Sequence, residues 1–101
     1  MVVGSAGLFC LALNVYFEAR SEDLAAQYAV AEVTLNRVAS PDFPDDVCEV
    51  VWQRKQFSWT HDGKSDKPRD TKAWRRAVSV AAYALEDDGH TVVGYDALYY
   101  H

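Results

Sequence analysis

The sequence predicts a mainly helical α+β fold, a single domain over residues 1–101 with a small β element. Three observations carry that expectation. The 101 residues are 50% hydrophobic and 13% aromatic, enough for one compact core and too few for two. Four stretches read as helices, three from apolar spacing or density and one from its turn and cap residues. Strand-like composition is confined to QFSWT at residues 56–60 and to the aromatic tail TVVGYDALYYH.

The first helix follows from LFCLALNVYF, whose dense apolar content and good helix formers predict a buried helix over about residues 6–19. Glu18 falls on its last turn. Ser21 is placed to cap the next helix, with Glu22 and Asp23 adding negative charge where the helix dipole favours it. Leu24, Tyr28, Ala31, Leu35 and Val38 then recur at helical spacing to about residue 38. SPDFPDD is a turn cluster, and Pro44 at a first helical position, ahead of Asp45 and Asp46, opens a short helix to about residue 53. Val47, Val50 and Val51 form its inward face. Periodicity is lost through QRKQFSWTHDGKSDKPRD, an irregular stretch of the kind that carries sites on rigid scaffolds. Asp70 or Thr71 caps a last helix with Trp74, Val78, Ala81 and Leu85 on one face, and Gly89 stops it. The tail is expected to be extended and to pair with QFSWT.

Charge and composition exclude several functions. A net charge of −5 and a pI near 5.0 argue against a nucleic-acid partner, which calls for a basic surface. The positive residues of RKQ, GKSDKPRD and KAWRR are interrupted by acids and read as solvated surface. Asn14, Glu18 and Arg20 break the one apolar run before it reaches the ~20 residues of a membrane span, so no membrane insertion is expected. The same run lacks the basic start and small-residue cleavage site of a secretory signal. Cys10 and Cys48 read either as one disulfide or as two small buried hydrophobes.

Elimination leaves carboxylate chemistry. The five glycines form no phosphate loop, and His61, His90 and His101 lack ligand spacing, so no metal or other cofactor is expected. A Cys–His nucleophile is disfavoured because both cysteines sit on predicted core faces. Two glutamates interrupt dense apolar helices, Glu18 in NVYFEAR and Glu32 in AVAEVTLNR. Glu32 reads as an exposed residue or as a partner of Arg37 or Arg20. Glu18 lies beside Tyr16 and Phe17, where apolar neighbours keep a carboxyl protonated, as a general acid requires.

ALNVYFEARSE, YAVAEVTLNRV, FPDDVCEVV, QFSWT and ALYYH, in that order and spacing, resemble the cell-wall hydrolases of the spore-cortex-lytic enzyme type, a family also found in phage. The resemblance covers roughly residues 10–101. It implies a lysozyme-like fold related to lytic transglycosylases, and peptidoglycan glycan strands as the partner. Glu18 matches the glutamate of the family's EAR-x-E motif and is the implied catalytic acid. Supporting or substrate-binding roles are implied for Glu22, for Asn36 and Arg37 of LNR, for Gln56, Phe57 and Ser58 of QFSW, and for Tyr99 and Tyr100. A Cys10–Cys48 bridge between the first and third helices is also implied. Ser21 stands where many relatives carry glycine, which bears on the turn holding Glu18, and the chain stops at His101, where relatives usually continue.

The expected reaction is lytic transglycosylation with one glutamate, giving 1,6-anhydro ends. The alternatives are a hydrolytic muramidase of endolysin type with the same acid, and a non-catalytic wall-binding module. The expected setting is the bacterial wall, reached by a phage lysin or by a domain excerpted from a longer protein, acting as a monomer.

Overall fold

The apolar run becomes the central helix of the fold. The computed structural model describes residues 2–55 and 70–92, and among these the order is β1 (Val2–Val3), α1 (Ser5–Ala19), α2 (Leu24–Ala39), α3 (Val47–Lys55), α4 (Thr71–Asp87) and β2 (Thr91–Val92). Helix α1 packs against α2, α3 and α4. Every residue from Cys10 to Tyr16 is therefore buried, which explains why its sequence is dense in apolar residues rather than periodic. The polar member, Asn14, is fully buried and donates from Nδ2 to Thr34 Oγ1 at 2.7 Å, joining α1 to α2. Each Leu or Val buried in this core contributes about 1.5–3 kcal/mol.

Helix α4 behaves as its periodicity predicts. Trp74, Val78, Ala81 and Leu85 are buried, and the helix ends in paired bonds from Gly89 N–H to the Glu86 carbonyl and from His90 N–H to the Leu85 carbonyl, both 3.0 Å. Gly89 takes φ +90°, a conformation that favours glycine. Val47, Val50 and Val51 of α3 face inward as expected. On α2, Ala31 and Leu35 are buried, whereas Leu24 in the first turn is 52% exposed.

The starts of α2 and α3 differ from the sequence expectation, while α4 is capped by Asp70 as expected. Asp23, not Ser21, caps α2, its Oδ1 accepting from Ala26 N–H at 2.9 Å. Asp46 begins α3 in the same way, with Oδ2 accepting from Glu49 N–H at 3.0 Å, so Pro44 precedes the helix instead of opening it. Asp70 repeats the geometry at α4, accepting from Ala73 N–H at 3.0 Å. In each case a carboxylate reaches the third amide of its helix, where it satisfies an orphan donor and meets the positive end of the dipole.

The β element also differs. Val2 and Val3 pair in parallel with Thr91 and Val92, so the amino-terminal residues supply a strand partner that the sequence did not suggest. The expected strand QFSWT lies outside the described residues. Gly7 permits this arrangement, since a Cβ there would come within 2.7 Å of Val3 Cγ1. The Cys10–Cys48 disulfide joins α1 to α3 across a sequence separation of 38 residues.

Candidate functional site

Glu18 stands on the last turn of α1, and helical geometry decides which way it faces. Two residues after Tyr16, it is turned through about 200° around the axis. Tyr16 therefore enters the core at 0% exposure, Phe17 packs partly against it, and Glu18 is exposed. The expectation of a carboxyl enclosed by Tyr16 and Phe17 is corrected accordingly: neighbours in sequence point to different sides of a helix.

The turn that carries Glu18 is held from beneath. Tyr16 Oη accepts from Arg20 Nη1 at 2.7 Å and from the backbone N–H of Asp70 at 3.1 Å. The Arg20 guanidinium lies 5.0 Å from the centre of the same ring. The ring meets Phe17 and Trp74 edge-on, with centroids 4.9 and 6.2 Å apart. The end of α1 is thus tied to the cap residue of α4. The connection that carries Gln56, Phe57 and Ser58 runs from Lys55 to this same Asp70.

Beyond α1 the chain turns into α2 without strain. Glu22 N–H donates to the Ala19 carbonyl at 3.0 Å, and the Glu22 carbonyl accepts from the buried Gln27 Nε2 at 3.1 Å. Among the described residues no non-glycine takes a positive φ. Ser21 is therefore accommodated with an ordinary backbone, and the turn does not require glycine.

Asn36 is not brought to this end of the molecule. It lies twelve residues beyond Leu24, about 18 Å further along α2. There it helps line a cleft of about 480 Å³ with Leu35, Val38, Ala39, Asp45, Asp88 and His90. Arg37 sits over the Phe43 ring at 5.4 Å. Glu32 pairs with neither Arg37 nor Arg20 as the sequence suggested; its carboxylate gathers with those of Asp87 and Asp88, all within 4.8 Å.

This cluster is the one described group of acids close enough to share a cation. Three oxygen donors alone suit a hard divalent cation, but exposed acidic groups commonly stand together without one. Partial burial, then the charges of Asp88 and Asp87, raise the Glu32 pKa above its ordinary value. A raised folded-state pKa makes the protonated form the stable one: the benefit is complete below the unfolded pKa and is lost as pH rises through the folded value. Glu32→Gln is thus expected to raise stability at pH 7 by about 0.5 kcal/mol, the scale of exposed charge interactions. The gain should vanish below about pH 4, where the parent glutamate is itself neutral. Urea midpoints of both proteins at pH 4 and pH 7 check this, and an equal or larger gain at pH 4 would refute it.

Gln56, Phe57, Ser58, Tyr99 and Tyr100 lie outside the described residues. Sequence reasoning missed the tie between Tyr16 and Asp70, which are 54 residues apart. Half of it was visible, because Tyr16 and Arg20 are four apart and share a helix face.

The cell wall hydrolase family model matches residues 21–101. The chain is also similar to spore cortex-lytic enzymes: it is 42% identical to that of Halalkalibacterium halodurans over 79 residues, 78% of this chain and 24% of the relative. With that of Oceanobacillus iheyensis it shares 39% over 90 residues, 89% of this chain and 30% of the relative. With that of Bacillus subtilis it shares 44% over 54 residues, 54% of this chain and 18% of the relative. The chain thus spans less than a third of the length of these relatives. The family match begins just after Glu18, but a 90-residue stretch of a 101-residue chain includes position 18 wherever it starts. No solved structure matches the chain significantly.

Proposed function

The chain belongs to the cell wall hydrolase family, and from that premise we propose that it cleaves peptidoglycan glycan strands at the β-1,4 bond between N-acetylmuramic acid and N-acetylglucosamine. Glu18 is the acid. Its carboxyl gives a proton to the glycosidic oxygen as the bond from that oxygen to muramic C1 breaks. The carboxylate left behind takes the proton of the muramic C6 hydroxyl, whose oxygen closes on C1. The products are a free N-acetylglucosamine end and a 1,6-anhydro end, with no water consumed. An exposed carboxyl is accessible to an extended strand, and the sugar that covers it favours the proton-carrying form by excluding water.

Among the described residues, the placement of the other carboxylates supports the single-acid form of the reaction, and Asp62, a second candidate beside Glu32 for a partner acid, lies outside them. A two-carboxylate glycosidase holds its acids about 5–10 Å apart across the sugar. Glu32, the described alternative, meets Asp87 at one end of α4, while the turn of Glu18 is tied to Asp70 at the other. Those ends are about 25 Å apart along the helix. Asp23 and Asp70, nearer in the chain, each engage an oxygen in capping. Glu22 is assigned a supporting role, and Gln56, Phe57, Ser58, Tyr99 and Tyr100 the sugar contacts. Asn36 would meet a strand only at the far cleft. The proposed setting is the bacterial wall, with the chain acting as a monomer.

Mass spectrometry of the soluble products from purified peptidoglycan tests this reading. Muropeptides one water lighter than hydrolysis products are expected. Ordinary reducing ends would replace the reaction with that of a hydrolytic muramidase, and the absence of soluble products would replace cleavage with wall binding.

A further inference from the structure

Tyr16 has more polar contacts than a core aromatic needs. It is fully buried among α1 and α4 residues, and phenylalanine would fill the same space. Its hydroxyl nevertheless accepts two hydrogen bonds, one from the Arg20 guanidinium and one from the Asp70 backbone N–H. The first is charge-assisted and closes a loop within the last turn of α1, and the second crosses to the start of α4. Arg20 is held twice, through Nη1 on the hydroxyl and through its guanidinium over the ring. Asp70 is held twice as well, through its amide on Tyr16 and through its carboxylate on Ala73.

We propose that Tyr16 and Arg20 are positioning residues for the glycan-cleaving reaction. They lock the last turn of α1 against the Asp70 cap and so fix Glu18 relative to the start of α4. The inference rests on the proposed function above. Its physical basis is that an acid at a helix end otherwise frays with its turn, because the last turn lacks onward backbone bonds. Fraying by about 1 Å is enough to cost a reaction that depends on aligned groups as much as ~10²-fold. The Tyr16 hydroxyl supplies what the backbone does not.

Tyr16→Phe isolates that hydroxyl while keeping the ring contacts with Phe17 and Trp74. With a soluble glycan substrate, kcat is expected to fall roughly 10–100-fold with KM within about twofold, since neither residue is assigned a sugar contact. Arg20→Lys, which keeps a charged donor, should recover part of the activity lost in Arg20→Met. Amide hydrogen exchange reads the lock without substrate: in Tyr16→Phe, exchange at Asp70 should quicken roughly 2–13-fold, the loss of one net hydrogen bond, while amides in the middle of α4 stay unchanged.

Unchanged exchange at Asp70 overturns the lock, whether or not the chain cuts glycan. Faster exchange with an unchanged kcat overturns the positioning role and leaves the cleavage assignment standing. A parent protein that cuts nothing overturns the cleavage assignment and with it the positioning role.

Discussion

Glu18→Gln is expected to lower glycan cleavage by roughly 10²–10⁴-fold, the range associated with loss of a general acid–base group. Glutamine has nearly the same shape and no proton to transfer, so both halves of the proposed reaction fail together. The loss corresponds to about 3–5 kcal/mol of transition-state stabilisation. The site is exposed at the end of α1, so the melting temperature should stay within about 4 °C of the parent. Release of soluble muropeptides, measured beside near-ultraviolet circular dichroism of the buried Tyr16 and Trp74, separates lost chemistry from lost fold. Activity within about threefold of the parent removes Glu18 from the mechanism.

The largest expected effect on stability comes from the Cys10–Cys48 bridge. It closes 38 residues of chain, and the chain-entropy model assigns such a loop about 4 kcal/mol of destabilisation of the unfolded state. A small domain has in total about 5–15 kcal/mol. Reduction is expected to lower the melting temperature by roughly 15–30 °C, with α3 loosening first because it is the shortest helix and relies otherwise on Val47, Val50 and Val51. Calorimetry with and without reductant measures this. A change under about 5 °C, or two titratable thiols in the unfolded, unreduced protein, would count against the bridge. Disulfides persist in oxidising compartments, which supports the proposed action at the wall.

How far the site was legible differs residue by residue. Glu18 was singled out by an acid standing in an apolar stretch, but its exposure was misjudged. Apolar density in α1 carries no phase, since the helix is buried on nearly every side and only geometry shows that residue 18 emerges. Glu32 attracted attention for the same local reason. Its actual neighbours, Asp87 and Asp88, lie more than fifty residues away in sequence, and no spacing rule connects them.

What the sequence by itself determined was the helical framework. The stripe of Trp74, Val78, Ala81 and Leu85, the inward valines of α3 and the stop at Gly89 all depend on interactions within a few residues, which periodicity and turn chemistry encode directly. The ordered blocks from ALNVYFEARSE to ALYYH likewise carried the family. Only the tertiary structure decided the pairing of Val2–Val3 with Thr91–Val92, the grip of Tyr16 on Asp70, and the placement of Asn36 in a cleft away from Glu18. A two-residue strand has no period to read, and a hydroxyl does not announce its partner. Contacts between distant residues form because several helices pack at once, so their identity belongs to the assembled core.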